Sequence, residues 1–318
     1  MAVYTHVSAE ALAALLSRYD VGRLVSAKGI AEGVENSNYL VDTDRARFIL
    51  TLYEKRVDAG DLPFFLALLD QLADAGLPVP RALRSLDGRQ VQEVAGRPAC
   101  LIEFLPGVSV THPTPAQARA AGAAMGRMHT ALADCTLDRP NSLGVDAWRP
   151  LLERCGRNLD AIDPTLYETL AAALDHVEPR WDRAAPRGVI HADLFPDNVL
   201  MLGDTVAGLI DFYFACTDVR LYDLAIMHSA WSFDATGGTH QAEVGRALLD
   251  GYSETHGLSA TERAALPVLA MGACIRFALT RAWDWLNTPA DALVTRKDPL
   301  AYTRRLTFYR DAGDALFA

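Results

Sequence analysis

His191-Ala192-Asp193-Leu194-Phe195-Pro196-Asp197-Asn198 reads H-x-D-L-x-x-x-N, and Ile210-Asp211-Phe212 places a second aspartate thirteen residues after the asparagine. These residue types at this spacing suit phosphoryl transfer. One carboxylate orients the attacking hydroxyl and takes its proton, while a neutral amide oxygen and a second carboxylate hold Mg²⁺ against a triphosphate. Asp193 fits the first role, and Asn198 and Asp211 fit the second. A chance His/Asp/Asn run in a loop is the plain alternative. The Ile-Asp-Phe step at a compatible distance counts against it.

Short apolar runs lead into both motifs: Gly188-Val189-Ile190 into the first, Val206-Ala207-Gly208-Leu209-Ile210 into the second. Such runs read as strands, whose ends would present Asp193, Asn198 and Asp211 together. The pair of motifs resembles the aminoglycoside-phosphotransferase-like branch of the protein-kinase-like fold. Ordinary protein kinases carry H-R-D and D-F-G. Here Ala192 replaces the arginine and Tyr213 the glycine, as in small-molecule kinases of that branch, and no A-P-E segment follows. The resemblance implies an α+β, bilobal protein-kinase-like fold, with a small antiparallel-sheet N-terminal lobe (1–105) and a larger, mostly helical C-terminal lobe (106–318). It implies ATP and Mg²⁺ as cofactors and a small-molecule acceptor rather than a peptide.

Within that branch the resemblance is closest to the bacterial homoserine kinases, and it spans nearly the whole chain. It rests on Glu32-Gly33-Val34-Glu35-Asn36-Ser37-Asn38-Tyr39, on Leu50-Thr51-Leu52-Tyr53-Glu54 followed by Leu62-Pro63-Phe64-Phe65, on the 191–198 motif, and on Arg276-Phe277 with Trp283-Asp284. Those enzymes also have threonine at the place of Thr51, where most of the fold has a phosphate-binding lysine. The helix after that strand lacks the lysine's partner glutamate as well; losing both halves of an ion pair strands no charge. The resemblance implies L-homoserine as the substrate partner and O-phospho-L-homoserine, for threonine synthesis, as product.

The positioning elements are legible in order. Ser8 N-caps a helix with apolar residues at helical spacing. Residues 24–42 read as strand, turn and strand. The turn holds Gly33, Asn36, Ser37 and Asn38 as candidate phosphate contacts in a form like G-x-x-N-x-x-Y, though an ordinary hairpin fits the residues too. It is not a Walker A loop. Lys28, Lys55 and Arg56 are alternative sources of positive charge. A strand at 47–53 and a helix at 61–75 follow; Gly76 and Leu77-Pro78-Val79-Pro80 stop that helix. Cys100 to Gly107 is a strand ending in a Pro-Gly turn. It resembles the hinge whose main-chain groups, here Glu103 and Leu105, pair with adenine.

Thr114-Pro115-Ala116-Gln117 is a capping box that opens a helix running to about Ala131; on it His129 resembles the family's L-x-x-L-H histidine, which implies a structural role. Residues 134–187 carry two helical segments and read as a substrate-shaping insert. Tyr222-Asp223-Leu224-Ala225 matches the family's D-L-A at a helix start, so the resemblance implies Asp223 as an anchor for the catalytic loop, with direct catalysis the alternative and His191 as further support. Ser259 opens another capped helix. On it Arg276, Thr280 and Asp284 share one face, which could hold the carboxylate and ammonium of an amino acid or be an internally salt-bridged structural face. Arg281, about 140° around from Arg276, is read as facing elsewhere. Tyr213, Trp231, Arg276 and Asp284 are the candidate substrate-binding residues.

The 318 residues are 50% hydrophobic, enough for a large core. No apolar run reads as long enough to span a bilayer, and no signal peptide precedes the fold, so the cytoplasm is expected. Five scattered cysteines without a C-x-x-C pair suit reduced thiols rather than a metal site. A net charge of −10 without a basic stripe argues against nucleic acid. Three rivals stand beside the kinase of homoserine: a kinase of the same fold acting on an aminoglycoside, methylthioribose or an amino alcohol; a non-catalytic nucleotide-binding module; and a metal hydrolase, against which the scatter of the eight histidines counts.

Overall fold

The structure, a computed structural model, describes residues 4–30, 36–54, 58–288 and 296–317. Gly33, Lys55 and Arg56 lie outside the described residues. The chain divides into two compact units: residues 1–107 with 207–213, and residues 108–206 with 214–318. The stretch carrying Asp211, read in the sequence as part of the second unit, therefore belongs to the first.

The first unit opens with α1 (Ala9–Leu16), whose Ser8 side chain accepts the Ala11 N–H at the expected cap. β1 (Leu24–Ile30), β2 (Ser37–Thr43) and β3 (Arg47–Leu52) follow, then α2 (Leu62–Asp74), β4 (Gln92–Val94) and β5 (Arg97–Glu103). The five strands form one antiparallel sheet in the order β1-β2-β3-β5-β4. Strand alternation sorts β3 between two cores. Phe48, Leu50 and Leu52 join Leu12, Leu15 and Leu16 of α1 on one face. Ile49 and Tyr53 meet Leu62, Phe65 and Leu66 of α2 on the other. Thr51, between Ile49 and Tyr53 in this alternation, belongs to the α2 side. α2 stops at Gly76, whose left-handed φ of +80° lets the Leu77 N–H reach back to the Leu72 carbonyl at 3.0 Å.

The second unit is mostly helical. α3 (Pro115–Ala131) carries both bonds of the Thr114–Gln117 capping box. α4 (Val145–Cys155) and α5 (Leu166–Val177) make up the segment expected to shape the substrate site. Their Trp148, Leu152, Leu170 and Leu174 are buried, so much of this segment is core. β6 (Arg187–Ile190), β7 (Val199–Leu202) and β9 (Cys216–Val219) flank the two motifs, with β6 antiparallel to β9, while β8 (Thr205–Leu209) starts in this unit and ends in the first. α6 (Arg220–Trp231) is buried from Leu221 to Trp231. α7 (Ala242–His256), α8 (Ala260–Asn287, with the Ser259–Glu262 capping box) and α9 (Leu300–Ala312) complete the unit. Against the sequence expectation, α8 is long and apolar enough to cross a membrane. In its most apolar window 72% is buried inside the protein, as befits a core helix.

Candidate active site

β6 delivers the 191–198 loop, and the loop hangs from one carboxylate. Asp223, in the first turn of α6, accepts the backbone N–H groups of His191 and Ala192, each at 2.8 Å. It also meets His129 Nε2 at 3.1 Å, and His129 Nδ1 lies 3.0 Å from the Tyr252 hydroxyl. A proton on Nε2 satisfies both contacts, with the tyrosine donating to Nδ1. Burial alone would raise the Asp223 pKa. The hydrogen bond from His129, with that of the His191 N–H, outweighs it and holds the carboxyl below its usual value. Ala192 pays a conformational cost here, with a left-handed φ of +64° at a non-glycine residue.

The loop is also gripped on both sides of Asp193. The Ala192 carbonyl accepts Arg276 Nη1 from α8 at 2.7 Å, and the Leu194 carbonyl accepts the Trp231 indole N–H from α6 at 3.0 Å. Two held peptide groups leave the half-buried Asp193 little freedom of direction. Asn198, buried, donates its amide to the Asp193 carbonyl at 2.8 Å and to Asp193 Oδ2 at 3.3 Å. This orients the amide so that Oδ1 remains as a hard, neutral oxygen, the donor type that suits Mg²⁺.

These contacts revise two expected roles. Arg276 and Trp231, candidates for substrate contact, are 2% and 0% exposed and support the loop from behind. The Arg276/Asp284 face also comes apart: Arg276 points into the core, while Asp284, two turns on, is exposed. Trp283 lies under the Arg154 guanidinium at 4.0 Å, and Trp285 lies 5.7 Å from that of Arg296. Arg281, read in the sequence as facing elsewhere than Arg276, lies with its guanidinium over the Tyr302 ring at 4.5 Å. Its i, i+4 relation to Phe277 was the available signal.

In the first unit Asp211 sits after β8 with a left-handed φ of +66°, the second strained non-glycine residue in a motif. Tyr213, expected at the substrate, instead packs edge-on against Tyr53 and Phe65, each at 5.7 Å. Burial pushes its hydroxyl pKa well up. Beside it, Thr51 donates to Asn38 Oδ1 at 2.7 Å. Neutral hydroxyls and aromatic rings thus fill the place of the lysine–glutamate pair.

Ser37 is not available to phosphate. It lies on β2 rather than in the turn, donates to Glu54 at 2.8 Å, and accepts the Tyr4 and Thr5 N–H groups. Asn36 Oδ1 accepts the Glu54 N–H, and Glu54 itself pairs with Arg97 at 3.2 Å. The Glu54 junction went unnoticed in the sequence because its partners are far apart along the chain. At the expected hinge, the Glu103 N–H is bonded to the Arg81 carbonyl at 3.0 Å and so cannot serve adenine as a donor. Leu105 follows, half-buried, beyond the end of β5.

Residues 26–265 match the model of a phosphotransferase enzyme family. Proteins called homoserine kinase from Zymomonas mobilis and Acidiphilium cryptum are both 53% identical to the chain over 315 residues, covering 98% and 99% of it and 98% of each relative. Solved structures with the same fold include an amicoumacin kinase in complex with AMP-PNP and Ca²⁺ (TM-score 0.65, 17% identity, 95% of both chains). A spectinomycin phosphotransferase in complex with ADP (TM-score 0.67, 14% identity) covers 96% of this chain and 95% of its own. A choline kinase from Cryptosporidium parvum (TM-score 0.67, 15% identity) does the same. The fold class is therefore α+β and protein-kinase-like, as the motifs implied.

Proposed function

The chain belongs to the phosphotransferase enzyme family, and from that premise we propose that it transfers the γ-phosphoryl group of ATP to the side-chain hydroxyl of L-homoserine. The product is O-phospho-L-homoserine, on the route to threonine, and the work is placed in the cytoplasm. One observation carries the choice of substrate: identity of about 50% along the whole chain to relatives called homoserine kinase. The geometry of the 191–198 loop carries the chemistry.

Asp193 accepts the proton of the attacking hydroxyl. Its direction is held by Arg276 and Trp231 on the flanking carbonyls and by the Asn198 amide. Asn198 Oδ1 and the Asp211 carboxylate are the oxygen donors assigned to Mg²⁺, which when bound neutralises charge on the phosphates. Such sites act mainly by positioning and by charge stabilisation. Phosphate binding runs without a β3 lysine, and Thr51 leaves no buried cation stranded there when the nucleotide departs.

The test is ADP release with Mg²⁺-ATP and a panel of L-homoserine, D-homoserine, L-serine, choline, methylthioribose and kanamycin. Turnover with L-homoserine alone is expected. Asp193→Asn should lower kcat by roughly 10²- to 10⁴-fold, the usual worth of a positioned base. Turnover of a different alcohol would overturn the substrate. ATP binding with no turnover of any acceptor would overturn the enzyme assignment and favour a non-catalytic nucleotide-binding module.

A further inference from the structure

Arg281 on α8 is half-buried, and none of the ion pairs found among the described residues includes it. Its Nη1 donates to the Asp298 carbonyl at 3.2 Å, and its guanidinium lies over the Tyr302 ring at 4.5 Å. An aromatic row joins it to the loop: Tyr302 meets Phe277 at 5.1 Å, and Phe277 meets Phe195 at 4.9 Å, two residues from Asp193. Lys297 approaches the Phe195 ring at 5.9 Å. Burial lowers the Arg281 pKa, and the charges of Asp193 and Asp298 counter this, so the guanidinium and the base share one electrostatic neighbourhood.

The other arginines nearby are engaged with backbone carbonyls. Arg276 and Arg305 are buried, their guanidinium groups donate to the Ala192, Ser229 and Asp234 carbonyls, and the Nε of each has no partner. A partly desolvated guanidinium with one carbonyl contact, pre-oriented on an aromatic face, is built to accept a planar anion in a forked bond.

We propose that Arg281 receives the α-carboxylate of the acceptor, and that this contact selects an amino acid over an amino alcohol. The inference rests on the homoserine kinase reading above. Arg276 does not take this role, because it is buried and held by the Ala192 carbonyl.

The experiment compares kcat/KM for L-homoserine and for L-homoserinamide, which keeps the hydroxyl and ammonium but not the charge. It uses the intact enzyme and its Arg281→Leu, Arg281→Gln and Arg281→Lys variants. The intact enzyme should prefer homoserine, and Arg281→Leu should lose roughly 30- to 300-fold on homoserine, mainly in KM, with little loss on the amide. Arg281→Lys should fall between, and the KM for ATP should not move. Equal losses on both acceptors would mark a structural role and overturn the proposal. So would an intact enzyme that does not distinguish the two acceptors, whether or not the variants fold. In that case homoserine kinase activity stands and the inference alone falls. If the intact enzyme phosphorylates neither, both fall.

Discussion

Asp223 does the most with the fewest atoms. One buried carboxylate takes two consecutive backbone N–H groups of the catalytic loop and orients His129. Asparagine there keeps the size but has one acceptor oxygen and no charge, so at least one loop N–H loses its partner. Asp223→Asn should cost on the order of 2–3 kcal/mol of stability. It should also lower kcat with little change in the KM for ATP. Denaturant melts and steady-state kinetics check this, and an unchanged kcat would show that the loop holds its shape without the anchor. Asp193 and Asn198 were legible in the sequence because one local motif holds both; Asp223 and His129, 94 residues apart, were reached only through the family resemblance. Arg276 and Arg281 were not legible in their roles. They sit on one helix, and its rotation against the loop decides which supports the backbone and which is left half-buried for a ligand.

Among the elements, α3 and α7 meet through glycine. A Cβ on Gly251 would lie 2.0 Å from the Arg119 carbonyl oxygen, and one on Gly122 would lie 2.1 Å from that of Leu248. At such distances the backbones themselves are in contact, and no rotamer relieves the clash. Gly251→Ala should therefore destabilise the protein, despite alanine's better helix propensity, by about 1–3 kcal/mol of overpacking. A gain in stability on chemical denaturation would refute this close approach. Capping boxes at Thr114 and Ser259 and the Gly76 stop were readable because each is a local hydrogen-bond pattern. The ends of β1 and β2 were not. The strands run on to Ile30 and begin again at Ser37, since cross-strand pairing overrides the turn-like composition of Gly29 and Asn38.

At the scale of the molecule, acid stability turns on histidines placed where no charge is welcome. His228, in the fully buried α6, sits 2.6 Å from the Tyr309 hydroxyl, and burial, with a smaller push from His240, lowers its pKa to about 3. His240 and His256 are lowered as well, each chiefly by burial. An unfolded chain protonates these rings near pH 6.5, whereas the native state keeps His228 neutral until far lower pH. The native state then binds fewer protons than the unfolded one, so stability rises with pH in this window. It is fully present above 6.5 and is lost as pH falls from 6.5 toward 3. For His228 the slope approaches about 1.4 kcal/mol per pH unit. Asp223, also depressed, begins to cost stability only below the ordinary aspartate range near 4, so the first acid loss belongs to the histidines. His228→Gln should lower stability at pH 7, by loss of packing and of the Tyr309 contact, yet flatten the fall between pH 6.5 and 5 by about one proton's worth. Urea melts across that range measure both effects. An unchanged slope would mean that His228 takes up its proton in the native state and that the acid sensitivity lies elsewhere.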